Sequence, residues 1–347
     1  MDGGGETKTK DVGQLGRVTI RTVAAHSGVS VAAVSKVLRN AYGVSDNLRN
    51  KVTASIDALG YRPSRSARGL RGRTFTIGVL LIDIANPFLP QVIAGVNGVL
   101  APSNIRAMIG VGQAETQLET SLIESMIDYK MDGVILVAPR LPSDVIATFA
   151  RDIPIVVVGY HDPGAQNFDT VNCDDEAGAA LAVQALLAQG LSDIGMLTVE
   201  QKVCYDVSVV QQRERGYRDA MAAAGLAKQA RLHRLPENFA THDAALSAFL
   251  DDPERPAAVF CWSDLDAIPL LNLAAARGIG VPDQLAIIGY DNSPLGALNL
   301  ISLSSVDQDG QGLGALATET LLSRIEGRKA ALHLKIPPSL VLRRSAG

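Results

Sequence analysis

The stretch VTIRTVAAHSGVSVAAVSKVLRN, Val18 to Asn40, sets two short apolar stripes at helical spacing on either side of Ser27-Gly28-Val29-Ser30. Neither stripe is long enough to be a stable helix in isolation, so each needs something to pack on. Thr19 is placed to cap a first helix, Ile20 to His26, with Val23 and Ala24 turned inward. Gly28 gives the backbone the freedom that a tight turn requires. Ser30 is placed to cap a second helix, from Val31 to about Leu38, in which Val34, Val37 and Leu38 fall at i, i+3 and i+4. That leaves Val31, Ala32, Ser35, Lys36 and Arg39 on the outer side. Ser45 caps a third helix whose buried stripe is Leu48, Val52, Ile56 and Leu59; Gly60 ends it and Pro63 forbids its continuation. Three short helices around one small core are the helix-turn-helix arrangement.

The outer side of the second helix suits the major groove of DNA. Val31, Ala32 and Ala33 are small enough to bring the backbone close and to touch thymine methyls, and Ser35 and Lys36 can bond base edges or phosphates. The same pattern also fits a small helical domain that binds protein. Charge distribution favours the first reading. The whole chain is acidic, with net charge -4, but residues 1–73 carry 13 Lys+Arg against 5 Asp+Glu, a surplus of eight cations. The remaining residues carry 19 against 31. A basic head on an acidic body means that only the head meets a polyanion.

The segment that follows, GYRPSRSARGLRGR (60–73), holds Arg62, Arg65, Arg68, Arg71 and Arg73. Composition alone reads as a solvated basic linker. Ser64, however, is placed to cap a short helix with Ala67 and Leu70 on one face. Gly69 weakens that helix, so it needs a neighbouring copy and a phosphate backbone to form. Leu70 is then an apolar wedge for a minor-groove base step.

These residues carry a specific resemblance. VTIRTVAAHSGVSVAAVSKVLRN, VSDNLRNKV and GYRPSRSARGLR together closely resemble the DNA-binding head and hinge of the lactose-repressor/galactose-repressor (LacI/GalR) family, without a gap through about Arg73. The resemblance implies base reading by Val31, Ala32 and Lys36, with Ser35 and Thr19 helping to hold the backbone, and a hinge helix that puts Ala67 and Leu70 in the minor groove.

With 347 residues, 47% of them hydrophobic, the chain has material for two or three domains. From Thr74 onward, apolar runs alternate with helical patterns. The runs are 77–82, 105–111, 133–138, 155–159, 194–197, 257–261 and 285–290; helix-like segments include 114–130, 176–189, 213–225 and 264–278. Runs that are apolar on both faces belong to parallel strands covered by helices, and two such sheets make two lobes with a cleft at the strand ends. The family resemblance continues in IDIANPF (82–88), CDDEAGAALA (173–182), RERGY (213–217), CWSDLDA (261–267) and IIGYDN (287–292). It implies an all-α helix-turn-helix head and hinge helix, followed by an α/β two-lobed core of the periplasmic-binding-protein type. The expected limits are a disordered extension over 1–16, a head over 17–62, a hinge over 63–73 and a core over 74–347. The N-lobe is expected to hold 74–172 and 305–332, and the C-lobe 173–304 and 333–345, with crossings near 172, 304 and 333.

By family position the cleft-facing residues are Asp83, Phe88, Tyr160, Arg213, Phe239, Ser263 and Asp291. Phe88, Tyr160 or Phe239 can stack on a small ring, Arg213 offers forked donors, and Asp291 accepts from paired hydroxyls. Such a mixture suits a sugar, a sugar acid or a similar polar metabolite. Bland readings stand beside each: Phe88 and Phe239 as core, Arg213 paired with Glu214 or Asp219 on its own helix, Asp291 capping a loop. Trp262 and Ser263 depart from the family, which usually has a small residue followed by Asn there.

No Walker loop, G-x-G-x-x-G or G-x-S-x-G occurs, and the histidines at 26, 161, 233, 242 and 333 lack metal-ligand spacing. No enzyme activity and no cofactor or metal are expected. Three scattered cysteines, Cys173, Cys204 and Cys261, fit a reducing compartment. No apolar run reaches membrane-spanning length and no export signal opens the chain, so a cytoplasmic location is expected. The resulting expectation is a homodimeric repressor of a sugar or sugar-acid utilisation operon that binds a near-palindromic operator in double-stranded DNA and is released by a small-molecule inducer. The alternatives are a corepressor-dependent regulator of the same family and a sugar-binding protein without a regulatory role.

Overall fold

The computed structural model describes residues 18–38, 41–62, 73–201, 207–236 and 239–347, the side chain of Phe239 excepted. Arg39, Ala67, Leu70 and the expected extension 1–16 lie outside the described residues. The chain forms two compact units, Met1–Gly72 and Arg73–Gly347.

In the first unit, α1 (Ile20–Ser27) starts at Thr19, whose hydroxyl accepts from the Thr22 amide, while the Thr22 hydroxyl accepts from the Thr19 amide. This reciprocal cap satisfies two of the donors that a helix start leaves open. The helix ends at Gly28, at φ +62°, a left-handed conformation that favours glycine. The Ser30 hydroxyl accepts from the Ala33 amide at 3.1 Å and opens α2 (Val31–Leu38). Ser45 caps α3 (Asp46–Leu59), which ends at the left-handed Gly60. Val23, Ala24, Val34, Val37 and Val52 form the shared core. Each side chain in it comes from a stripe predicted by 3.6-residue spacing.

The second unit holds two six-stranded sheets. The first runs β11-β5-β4-β3-β1-β2, all parallel. Its strands are β1 (Thr76–Leu81), β2 (Arg106–Val111), β3 (Gly133–Val137), β4 (Ile155–Val158), β5 (Asp169–Cys173) and β11 (His333–Ile336). Between them lie α4 (Leu89–Leu100), α5 (Thr116–Asp128) and α6 (Ser143–Phe149). The second runs β12-β10-β9-β8-β6-β7, parallel except for β12. It comprises β6 (Ile194–Val199), β7 (Arg231–Leu235), β8 (Ala258–Cys261), β9 (Ala286–Tyr290), β10 (Ser304–Asp307) and β12 (Ser339–Val341), with helices α7 (Asp175–Ala188), α8 (Val209–Ala223), α9 (His242–Asp251) and α10 (Asp264–Ala276). Strands β1, β3, β4, β6, β8 and β9 are buried along their whole length, which is why they read as unbroken apolar runs.

Two of the three expected crossings move. The first falls between Cys173 and Asp175, close to 172. The second lies beyond 307, not at 304, because β10 pairs with β9 in the second sheet. The third lies between 336 and 339, not at 333, because β11 pairs with β5 in register His333↔Thr170. Helix α11 (Gly310–Ile325), which follows the second crossing, packs on α4 backbone to backbone. A side chain at Gly95 would strike the Gln311 carbonyl, and one at Gly314 would strike that of Val92.

Asp169 on β5 is fully buried and fixes this return of the chain. Its oxygens accept from Arg324 at 2.8 and 2.9 Å, from Arg328 at 2.8 and 3.0 Å, and from the Leu332 amide at 2.7 Å. Burial pushes the carboxyl up, but the two guanidinium groups and the amide outweigh it and hold it below the ordinary carboxylate value. A folded-state value below the unfolded one gives stability that is present above the ordinary value and is lost as pH falls through the depressed one. Asp169→Asn should therefore cost about 3–5 kcal/mol at neutral pH by urea unfolding, as expected when a buried pair loses one partner. The cost should shrink in acid; an equal cost at neutral and acid pH would rule out the ionised form as the stabilising one.

Candidate functional site

Parallel strands expose their carboxyl ends together, and Asp83, Tyr160, Ser263 and Asp291 follow the ends of β1, β4, β8 and β9. In the head, Val31, Ala32 and Lys36 are exposed on α2, Ala33 and Ser35 are half-buried, and Thr19 and Ser30 are the exposed caps already described. The face is small at its start and cationic one turn later.

In the body, the centre of the cluster is Arg213 on α8, 3% exposed. Its Nε donates to Asp175 Oδ1 at 2.7 Å and its Nη1 to the Trp262 carbonyl at 2.5 Å. Nη1 also lies 3.9 Å from Asp291 Oδ1, and the guanidinium carbon sits 3.6 Å from the centroid of the Tyr290 ring. Asp175, at the start of α7, meets His161 Nε2 with its other oxygen at 2.8 Å. Burial pushes the Asp175 carboxyl up, yet Arg213 and His161 together hold it below the ordinary value. Burial disfavours the Arg213 cation, but Asp175, Tyr290 and Asp291 raise its affinity for the proton beyond that of a free guanidinium. A buried charge of this kind persists only when paired and hydrogen-bonded.

Asp291 follows β9 at φ +111°, a conformation rare outside glycine. Its carboxylate accepts from the Ser263 hydroxyl at 2.9 Å and from the Gln308 amide. Ser263 also caps α10 by accepting from the Leu265 amide at 3.1 Å. Arg213, Ser263 and Asp291 are thus brought together.

The other expected residues are placed differently. Phe88 is buried in the core of the first sheet, its ring beside Gly310. Tyr160 is also core. Its ring meets Phe168 edge-on at 6.4 Å, and its hydroxyl lies 3.0 Å from the Ser143 hydroxyl and 3.2 Å from the Leu141 carbonyl. Asp83 closes its own turn by accepting from the Ile84 and Ala85 amides. Arg213 pairs with neither Glu214 nor Asp219; Glu214 belongs to Arg234 and Arg218.

Asp175, His161, Tyr290 and Gln308 were not singled out by sequence reasoning. The pair Asp174-Asp175 reads as ordinary helix-start chemistry, and Asp174 does cap α7 by accepting from the Ala177 amide. A second carboxylate behind a cap is the one local feature by which Asp175 stands out in the sequence. No group of side chains suited to a metal occurs among the described residues, and no helix there is long and apolar enough to cross a membrane.

The family model for bacterial regulatory proteins of the lacI family matches residues 19–64, and that for periplasmic binding protein-like domains matches residues 183–346. The chain is 28% identical to the HTH-type transcriptional repressor PurR of Photobacterium profundum, with 94% of this chain and 98% of that protein covered. It is 31% identical to the ribose operon repressor of Haemophilus influenzae, again with 94% and 98% covered. The lac repressor dimer bound to operator and the anti-inducer ONPF shares the fold, with a TM-score of 0.81 at 22% identity over 95% of this chain and 99% of that one. A helix-turn-helix head in one chain with a two-sheet, periplasmic-binding-protein-like body defines a class of bacterial regulators. This chain belongs to the lacI family.

Burial lifts the Asp291 carboxyl to about 7, with Arg213 opposing and Asp264 assisting. The folded protein then keeps a proton that the unfolded chain releases near pH 4, so this group lowers stability as pH rises from about 4 to about 7. Asp291→Asn should remove that fall. Its stability relative to the parent should grow across this window and level off above it, and a constant difference would exclude the raised value.

Proposed function

We propose that this protein is a ligand-responsive, sequence-specific DNA-binding repressor that holds its operator as a homodimer and releases it when a small sugar occupies the body. The observation that carries the reading is the Asp175–Arg213–Asp291 cluster, buried where the strands of the second sheet end, in a chain whose head exposes Val31, Ala32 and Lys36 on α2. It is supported by relatives named as repressors over nearly their whole length. The function is regulatory and non-enzymatic, and an operator in duplex DNA places the work in the cytoplasm.

The charge inventory narrows the effector. Arg213 is already answered by Asp175, with Asp291 beside it. A sugar acid would bring a carboxylate to a cluster with one fixed cation and two acidic groups. A neutral sugar instead offers hydroxyls that donate to Asp291 and accept from Arg213, so the proposal is a neutral sugar or polyol. Self-association is supported by exposed apolar side chains: Met108 and Ile109 on β2, and Leu295, Leu298 and Leu300 between β9 and β10. Exposed apolar area of this kind marks an interaction surface.

Effector and operator oppose each other by equal coupling energies, on the order of 1–3 kcal/mol. Arg213→Lys keeps a cation beside Asp175 and removes the forked donors. Fluorescence-anisotropy titration on upstream operator DNA should show that variant failing to release at sugar concentrations that free the parent; normal release would exclude Arg213 as the anchor. Leu70→Ala should weaken specific binding far more than binding to random duplex. Equal losses on both would remove Leu70 as a base-step wedge, and tighter operator binding with sugar would make the effector a corepressor.

A further inference from the structure

Trp262 leaves the end of β8 beside Arg213 and is the chain's one tryptophan. Its backbone carbonyl holds Arg213 Nη1, so the residue is built into the cluster from the main chain. Its side chain is half-buried and packs on the core of the second sheet, leaving part of the indole open. The indole Nε1 donates to Asp266 Oδ2 at 2.6 Å, one turn along α10. The other Asp266 oxygen meets His242 Nδ1 at 2.6 Å, and His242 Nε2 meets the Pro236 carbonyl at 2.7 Å. A carboxylate and a carbonyl only accept, so both ring nitrogens of His242 must donate and the ring carries both protons. Asp266 and His242 are 1% and 5% exposed, which makes this an enclosed ion pair with one oxygen left for the indole.

We infer that Trp262 is a specificity-determining wall of the effector site, its indole fixed in place by the Asp266–His242 pair. The inference rests on the neutral-sugar reading above. Phe88, Tyr160 and Tyr290 are buried in the apolar cores, whereas the Trp262 side chain, beside Arg213, is partly open. An indole tethered through its N–H offers a flat apolar face while its polar atom stays satisfied. A sugar ring has a matching C–H face and an edge of hydroxyls for Arg213 and Asp291. A free indole would lose rotamer freedom on binding, and the tether removes that cost in advance. Burial disfavours the His242 cation, but the hydrogen bond and charge of Asp266, the Pro236 carbonyl and Asp243 on its own helix raise it above the ordinary imidazole value. Among the described residues, Asp266 on α10 and Asp243 on α9 are acidic groups that act on it, and the chain after β7 brings the Pro236 carbonyl.

The test uses the full-length chain, whose tryptophan emission comes from Trp262 alone. Without ligand, the emission should change as pH rises through the loss of the His242 proton, and His242→Gln should abolish that change. Asp266→Asn is the second variant should His242→Gln not fold, with the same expectation. With D-ribose, D-glucose, D-galactose and cellobiose as probes, each sugar that raises the melting temperature should also shift the emission. Trp262→Phe should weaken its binding about tenfold or more, which corresponds to about 1.4 kcal/mol. His242→Gln should weaken it in the parent but add nothing in Trp262→Phe, because the histidine acts through the indole. Sugar binding with unchanged emission, undiminished affinity in Trp262→Phe, or additive losses would overturn the inference. If none of the four sugars stabilises the chain, the wall falls together with the sugar reading, and an operator gel shift on the same preparation shows whether DNA binding survives.

Discussion

A guanidinium cannot be taken out of water unless its charge and its donors are answered, and the arrangement of the second sheet follows from that requirement at Arg213. The answer comes from four places in the chain: Asp175 at the start of α7, the Trp262 carbonyl after β8, Tyr290 at the end of β9 and Asp291 just beyond it. Only Tyr290 and Asp291 are neighbours in the chain. The parallel order β9-β8-β6 lays the strand ends side by side, and the packing of α7 on α8 brings Asp175 under the guanidinium. The same pairing leaves the cluster with little spare positive charge.

Within the first lobe a comparable device of the opposite sign gathers the chain. Asp169, fully buried, is answered by Arg324, Arg328 and the Leu332 amide, which draws the end of α11 and the start of β11 onto the first sheet. Gly95 and Gly314 let α11 and α4 approach backbone to backbone. The chain can therefore leave the second sheet after β10, rebuild part of the first with α11 and β11, and return to the second with β12. Shared segments of this kind make the two sheets one compact unit.

Legibility followed the range of the interaction. Thr19, Ser30 and Ser45 were read correctly as caps because each bonds an amide three residues ahead. Strands such as β3 and β4 were legible because both of their faces are buried. Strands β5, β7 and β11 were not, since DTVNC, RLHRL and HLKI spend polar residues on partners far away in sequence. The lobe crossings at 304 and 333 were misplaced for the same reason. Family position names Arg213, Ser263 and Asp291, which the fold brings together, but gives no sign of how deeply Phe88 and Tyr160 are buried. Nor could it show that Asp175 reaches across to another helix.

By itself, then, the sequence determined the helical head with its caps and outer face, the alternation of buried strands with amphipathic helices, and the concentration of positive charge in the first 73 residues. These depend on spacings of two to four residues and on composition. Only the tertiary structure decided which carboxylate neutralises Arg213, which aromatic ring is left beside it, and in which sheet β10 and β11 lie. Those outcomes are choices among many chemically equivalent partners, and burial makes the choice, because a charge or a strand edge shut away from water must be matched by whatever the fold has carried next to it.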